Sequence, residues 1–381
     1  MNLFGTSLDQ KYQNFGGKKA LIAVTVLLAC TAGFFLWKTS YVLNKISGGG
    51  FLEGIVRSLP GVQNTVRGEK EGRINIALLG MRGEHVSSGG LLADTIMIIS
   101  IKPAEKKASL ISVPRDLYVL VPGTSDQQKI NAVHFYGEER GKGQGLEAMK
   151  QILSEVSGVP IHYAISINFE GFQKIIDDLD GIDITLAEPF TEALQFDEPH
   201  VCDPNVFTVP TGTFENKIDH RGKIVASYPL CLNPDKECGG TFSLPAGQNH
   251  LNGEAALCYA RSRVTSSDFE RARRQQEVLK TMQKKALSLG TLTDFGRISA
   301  LLDTLGDNAR TDMQVWEMQR FFEIYREIGA IEDITQKVLE NSEEGLLYVP
   351  PGAGEGDVRG YILLPRGDHY DRIHELFRTI I

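Results

Sequence analysis

Five arginines, Arg261, Arg263, Arg271, Arg273 and Arg274, fall within fourteen residues of the run RSRVTSSDFERARRQQ. A guanidinium presents a planar fork of donors that matches paired phosphate or carboxylate oxygens. If residues 259–263 are extended, the side-chain period of two puts Arg261 and Arg263 on one face. Ser266, Ser267 and Asp268 then offer caps for a helix over 269–289. In that helix Arg271 and Arg274 are three apart and Gln275 is four beyond Arg271, so the three share a side. The free N–H groups and positive dipole end of the helix add to an anion-binding corner. The plain alternative is a solvated basic helix face. The chain as a whole carries a net charge of −8, which removes any general reason to expect nucleic acid as a partner. An anion site here has to be local.

Three further groups could join it. Ser112-Val113-Pro114-Arg115-Asp116 follows an apolar strand pattern, and strand C-terminal ends are where open α/β sheets bind ligands. An edge salt bridge is the bland reading of Arg115-Asp116. Asp94 precedes the very apolar TIMIISI. A carboxylate there is costly unless paired or metal-bound, so Asp94 is a candidate magnesium ligand or base, or simply a cap of the Gly-rich loop before it. Lys129-Ile130-Asn131 is polar-apolar-polar near a strand end and says little alone. There is no Walker sequence, no G-x-S-x-G and no H-E-x-x-H.

The elements that must position these residues are readable from periodicity. Strands are expected at 74–79, 95–101, 108–113, 117–121, 161–167 and 182–186, with the turn 102–107 making the second and third a close pair. Apolar residues at Leu146, Met149, Ile152, Leu153 and Val156 predict a helix over 145–157. Another is expected over 169–179, stopped by Gly181. Residues 251–257 look like a helical turn, helices follow near 292–306 and 312–328, then a strand at 361–364 and a final helix from 370. Strands alternating with helices predict an α/β domain. Residues 188–247 break the rhythm with turn formers and read as an inserted region with short strands.

Residues 20–37 are apolar, uncharged and flanked by Lys18, Lys19 and Lys38. That length crosses a bilayer core, which takes roughly 17–25 residues, and predicts a single N-terminal membrane anchor rather than a cleaved signal. The expected layout is a tail over 1–19, the anchor over 20–37, a stalk over 38–72, and a globular part over 73–381, of which 291–381 is the mainly helical C-terminal part with its final strand. Cys202, Cys231 and Cys238 lie in the loop-rich insertion. At least one disulfide, and so an oxidising compartment, is expected there, with zinc as the competing reading. Cys258 sits in a different kind of segment and reads as a free buried thiol.

In this order the motifs resemble those of the LytR-CpsA-Psr family. They stand as Asp94-Thr95-Ile96; Ser112 to Asp116; Lys129 to Asn131; Asp178-Leu179-Asp180-Gly181-Ile182; Leu251 to Arg263; and Asp268 to Gln276. The match covers roughly residues 73–290. The resemblance implies a central mixed β-sheet flanked by helices in α-β-α layers, outside the bacterial membrane. It also implies a phosphotransferase that moves a glycopolymer from a polyprenyl-pyrophosphate carrier to a peptidoglycan hydroxyl, with magnesium (Mg2+). Carried over, Arg115, Arg261, Arg263, Arg271, Arg274 and Gln275 would hold the pyrophosphate, Lys129 and Asn131 would contact substrate, and Asp94 would bind the metal or activate the acceptor. Asp116 and Asp268 would orient neighbouring arginines. The sequence departs from the pattern before Asp94, where Leu91-Leu92-Ala93 stands, and no second metal carboxylate is evident beyond Glu84. A hydrolase of the same pyrophosphate and a non-catalytic lipid-phosphate or cell-wall binding protein are the competing functions.

Overall fold

A computed structural model of the chain describes residues 65–84, 89–195, 200–202, 209–218, 222–232, 240–262, 267–288, 305–328, 334–354, 357 and 359–381. The strands that matter for the site are β1 (Ile74–Met81), β2 (Thr95–Lys102), β3 (Lys107–Ser112), β4 (Tyr163–Asn168), β5 (Ile182–Leu186), β6 (Gly247–Leu251), β7 (Ala309–Thr311) and β8 (Ile334–Val338). The helices are α1 (Val133–Arg140), α2 (Gln144–Ser157), α3 (Phe169–Asp178), α4 (Gly253–Arg261), α5 (Asp268–Ser288), α6 (Val315–Ile328) and α7 (Asp371–Thr379).

Six strands form one sheet in the order β7-β4-β1-β2-β3-β8. β1 pairs antiparallel with β2 and parallel with β4, and β3 pairs antiparallel with β2 and parallel with β8. The sheet is therefore mixed, and its near-continuous apolar strands are covered on both faces. The period of two divides β1 between two cores. Ala77, Leu79 and Met81 join Ile96, Ile98 and Ile111 under α2 and α7, where Leu146, Met149, Ile152, Leu153, Val156, Ile373 and Phe377 are buried. Ile74 and Ile76 turn the other way, to Tyr163, Met313, Trp316 and Ile324 beside α6. Each such side chain stabilises the fold by about 1.5–3 kcal/mol on full burial. A third core joins α3, β5, β6, α4 and α5 through Ile176, Ile182, Leu251, Tyr259 and Val278.

Local signals explain the ends. Asn168 caps α3 by accepting from the Gly171 N–H at 2.8 Å, and Asn252 caps α4 by accepting from Ala255 N–H at 2.9 Å. Between α3 and β5 the chain turns on Gly181, whose φ of 72° suits a residue without Cβ.

Several expectations change. Residues 259–261 are helical, because α4 runs unbroken to Arg261 and ends at Ser262, so the extended segment expected over 259–263 is replaced by a helix as far as Arg261. The strand expected over 361–364 shrinks to Leu364–Pro365, paired with Leu347–Tyr348. Packing begins ahead of Arg73: Val66 is buried and the Arg67 N–H donates to the Tyr163 hydroxyl at 2.8 Å. In the insertion, Cys202 and Cys231 form a disulfide that ties the antiparallel ribbon Val209–Ile218 and Ile224–Leu232 at its base. Cys258 is also disulfide-bonded rather than a free thiol, with its partner outside the described residues. The anchor expected over 20–37 and the helix expected near 292–306, up to residue 304, lie outside the described residues. Among the described residues no helix is long and apolar enough to cross a membrane.

Candidate functional site

Strand register assembles the site. Gly80 lies opposite Thr95 across β1 and β2, so Arg82 and Asp94, just beyond those residues, meet at the sheet end. Met97 lies opposite Ser112 across β2 and β3, and Val113 N–H donates to Ile96 O, which carries the chain to Pro114 and Arg115 beside Asp94. Pro114 cannot continue the ladder; its carbonyl instead accepts from Leu117 N–H at 3.1 Å, closing a turn. The backbone of Asn131 bridges the two loops, accepting from Ala93 N–H at 2.9 Å and donating to Arg115 O at 3.3 Å. Above this edge stands the first turn of α5, where Ser267 Oγ accepts from Glu270 N–H at 3.2 Å. The serine cap expected from the sequence is in place.

Arg115 is the hub. Its Nη1 donates to Asp94 Oδ1 at 2.8 Å, and its Nε lies 3.7 Å from Asp116 Oδ2 and 3.7 Å from Asp268 Oδ2. That Nε is buried with no hydrogen-bond partner. Asp268 Oδ2 also accepts from Arg271 Nη2 at 2.9 Å, and the same Nη2 is 3.5 Å from Asp94 O. Arg82 Nε is 3.6 Å from Asp94 Oδ2, and Lys129 Nζ is 2.8 Å from Asp116 Oδ1. Burial pushes the Asp94 carboxyl up, but Arg115, Arg82 and Arg271 outweigh it and hold it below the usual carboxylate range. Burial likewise disfavours the Arg115 charge, and Asp94, Asp268 and Asp116 more than offset that, raising its pKa. Both groups are ionised at neutral pH.

A cleft lined by Asp94, Ser112, Pro114, Arg115, Asp268, Phe269, Arg271 and Gln275 opens at this point. The structure thus gathers Asp94, Arg115, Arg271 and Gln275, with Lys129 one carboxylate away and Asn131 in the supporting backbone. Arg274 is used differently. Its guanidinium donates to the carbonyls of Tyr259 and Ser262 at the end of α4 and lies over the Phe190 ring, and burial lowers its pKa. Arg261 stands over the Phe169 ring, 4.5 Å from its centroid. Gln275 donates to Ala260 O at 3.2 Å while its side lines the cleft. Arg263 lies outside the described residues. Arg82 is the contributor the motif reading left out of the site. Its signal was a cation just past one buried strand, facing an acid just before the next.

The magnesium ion expected from the resemblance would fall to Asp94. Among the described residues no group of three or more His, Cys, Asp or Glu side chains could hold a metal ion. The donor set still suits magnesium, a hard cation that keeps several waters and needs only one or two protein carboxylates alongside substrate phosphates. Asp94 Oδ1 accepts from Arg115 Nη1 at 2.8 Å and Oδ2 faces Arg82 Nε at 3.6 Å, so Oδ2 is the oxygen with the longer cationic contact.

A sequence model of the LytR_cpsA_psr family matches residues 56–353. The chain is 25% identical over 256 residues to the polyisoprenyl-teichoic acid–peptidoglycan teichoic acid transferase TagT of Bacillus subtilis, spanning 67% of this chain and 64% of that relative. It is 28% identical over 273 residues to the transferase of the same description, TagU, of Oceanobacillus iheyensis, spanning 71% of this chain and 68% of the relative. The crystal structure of B. subtilis TagV superposes with a TM-score of 0.52 at 19% identity, covering 80% of this chain and 96% of that one. That likeness shows the fold.

Proposed function

The chain belongs to the LytR-CpsA-Psr family, and on that premise we propose that it is a phosphotransferase joining a glycopolymer to peptidoglycan. The donor is the glycopolymer on a polyprenyl-pyrophosphate carrier, and the acceptor is a peptidoglycan sugar hydroxyl. The acceptor oxygen attacks the phosphorus that bears the glycan. The bond from that phosphorus to the bridging oxygen breaks, polyprenyl phosphate leaves, the hydroxyl proton passes to the leaving phosphate or to water, and the glycan becomes joined through a phosphodiester. The observation that carries the reading is the shared cleft of Arg115, from the end of β3, and Arg271, from the first turn of α5, with Asp94 between them.

Phosphoryl transfer needs positioning and charge stabilisation more than covalent chemistry from the protein. Arg115 and Arg271 reach the cleft from separate elements and suit two phosphates that share a bridging oxygen. Asp116 and Asp268 hold those guanidinium groups in orientation, and Lys129 steadies the Asp116 carboxylate. The resemblance would also have Arg261, Arg263 and Arg274 bind substrate, but the Arg274 guanidinium is taken by carbonyls at the end of α4 and Arg263 lies outside the described residues; Gln275 and Asn131 would serve as amide donors. Asp94 is held ionised well below neutrality, so it is a weak proton acceptor and better suited to holding a cation. Magnesium, when bound, would supply positive charge to the phosphates, with Asp94 as its protein ligand. The apolar run at 20–37 would keep the cleft on the outer side of the membrane, beside a lipid-borne donor.

The test uses the full chain in detergent with a polyprenyl-pyrophosphate glycan, magnesium and peptidoglycan fragments, read by mass spectrometry. The expected product is glycan joined to peptidoglycan. Arg271→Ala should lower its rate by about 10²–10³-fold, the loss typical of one charge-stabilising donor, with unchanged near-ultraviolet circular dichroism. Free glycan phosphate without a joined product would replace transfer by hydrolysis. Unaltered substrate would leave only a binding role.

A further inference from the structure

Gln276 does not itself line the cleft, but it is a buried polar residue on the helix that carries Arg271 and it binds Ser112, which does line it. It is 3% exposed. Its Nε2 lies 2.8 Å from Ser112 Oγ, 2.8 Å from Lys337 O and 3.3 Å from Leu110 O. An amide has two N–H groups, so the two short contacts are its hydrogen bonds and the Leu110 carbonyl shares one of them. Ser112 and Lys337 belong to the parallel neighbours β3 and β8. The side chain therefore straddles the seam between these strands, at the point where β3 ends and the chain turns toward Arg115.

The placement matters because Arg115 and Arg271 come from different elements. Nothing in β3 alone sets how far Arg271 stands from Arg115; the docking of α5 on the sheet sets it. Gln276 is five residues beyond Arg271, about 7.5 Å along the helix axis. Toward α4, Gln275 and Arg274 bind carbonyls at the end of that helix. The helix is thus pinned on both flanks within two turns of Arg271.

We propose that Gln276, acting through Ser112 and the Lys337 carbonyl, is a positioning residue that fixes the Arg115–Arg271 separation to the spacing of two linked phosphates. The inference rests on the phosphotransferase reading. It differs from a purely structural role in what it predicts for turnover: a displaced guanidinium costs stabilisation of the transition state, while ground-state affinity for the rest of the substrate is retained.

The experiment compares Gln276→Met, Ser112→Ala and the double variant in full chain, with Gln151→Met on the exposed face of α2 as a control. Assays run well below the unfolding temperature of every variant. Gln276→Met, which keeps volume and loses both donors, should lower kcat by about 10- to 100-fold with KM within about twofold. Ser112→Ala should show a smaller loss in the same direction, and the double variant should be no worse than Gln276→Met, since the two act through one bond. Lowered stability with wild-type kcat, or losses in the two single variants that simply multiply, would overturn the proposal. If wild-type protein shows no turnover, the transfer reading fails by itself, and calorimetric binding of inorganic pyrophosphate decides the rest. Affinity weakened about tenfold or more in Gln276→Met supports the positioning role, and equal affinity overturns it. A wild-type protein that neither turns over nor binds pyrophosphate overturns both.

Discussion

Replacing Asp94 by Asn removes one charge from the centre of the site at almost constant shape, and the consequence can be worked from the geometry. Asp94 faces Arg115 at 2.8 Å and Arg82 at 3.6 Å. At an effective dielectric constant near 20, an ion pair at such a distance is worth about 4 kcal/mol before desolvation. Stripping water from a carboxylate that is only 14% exposed costs several kcal/mol in return. Attraction wins, because the Asp94 pKa is lowered despite burial. Loss of one partner from a buried pair typically costs about 3–5 kcal/mol. Arg115 would still keep Asp116 and Asp268 at 3.7 Å, so the expected loss is nearer 1–3 kcal/mol. In a body of this size that is a fall in Tm of about 2–5 °C. The pH dependence fixes the mechanism. A carboxyl whose folded pKa is depressed contributes stability that is complete above its unfolded pKa, near 3.9, and is lost as pH falls through the folded value. Calorimetric unfolding at pH 7 should separate wild type from Asp94→Asn, and the gap should narrow at pH 4 and below. A variant as stable as wild type at pH 7, or a gap that stays constant into acid, would refute the view that Asp94 is a net stabilised anion.

Two further outcomes follow from local geometry. The Cys202–Cys231 bond closes a segment with a sequence separation of 29, which chain entropy equates with about 3.5 kcal/mol. Because it staples an appended ribbon, Cys202→Ser should speed proteolysis within the insertion while the central-sheet fragments stay resistant; equal cleavage rates in both proteins would show the ribbon to be held by other contacts. Gly181→Ala should cost about 2 kcal/mol or more, since φ is 72° and a Cβ would stand 2.8 Å from the Leu251 carbonyl. Chemical denaturation measures it, and an unchanged midpoint would mean that the turn relaxes freely.

Most of the sheet and its helices were legible because they obey one period at a time. β1, β2 and β3 are almost unbroken apolar runs, and α2 repeats its apolar residues every three or four positions. What escaped was held by context. β8 buries only its last residue and half-buries its first, because it is an edge strand; its sequence ITQKV carries no core alternation. β7 is three residues long. α1 reads VHFYGEER and has no clear apolar stripe, since it is fixed by its neighbours rather than by one face. α4 has a readable start in Asn252, but its continuation to Arg261 depends on packing against α3 and α5. The same division holds at the site. Asp94, Arg115 and Arg271 stood out as charges at the ends of buried elements. Helical spacing put Arg271 and Arg274 on one side, yet their guanidinium groups go to different partners, because Arg274 is met by the carbonyl end of α4 and Arg271 by Asp94 and Asp268. That choice is tertiary and leaves no mark on the spacing.

The three aspartates among the arginines bear on what this site can select. Arg115 and Arg271 repel one another, and Asp268 Oδ2 relieves the repulsion by facing Arg115 Nε at 3.7 Å and Arg271 Nη2 at 2.9 Å. Asp94 serves Arg115 and Arg82 in the same way. The cluster can therefore be held rigidly without a ligand, at the expense of part of its positive field. A monoanion offers little that these carboxylates do not already provide. On the proposed function a diphosphate would differ, because it brings more than one charge and oxygens on two linked centres, and so would engage both guanidinium groups together while their aspartates remain as orienting partners. An arginine cluster with no acids would bind any anion. On the proposed function, one with its acids built in would favour the ligand whose charge spacing matches its own, and the docking of α5 on β3 and β8 would then matter as much to this chemistry as the arginines themselves.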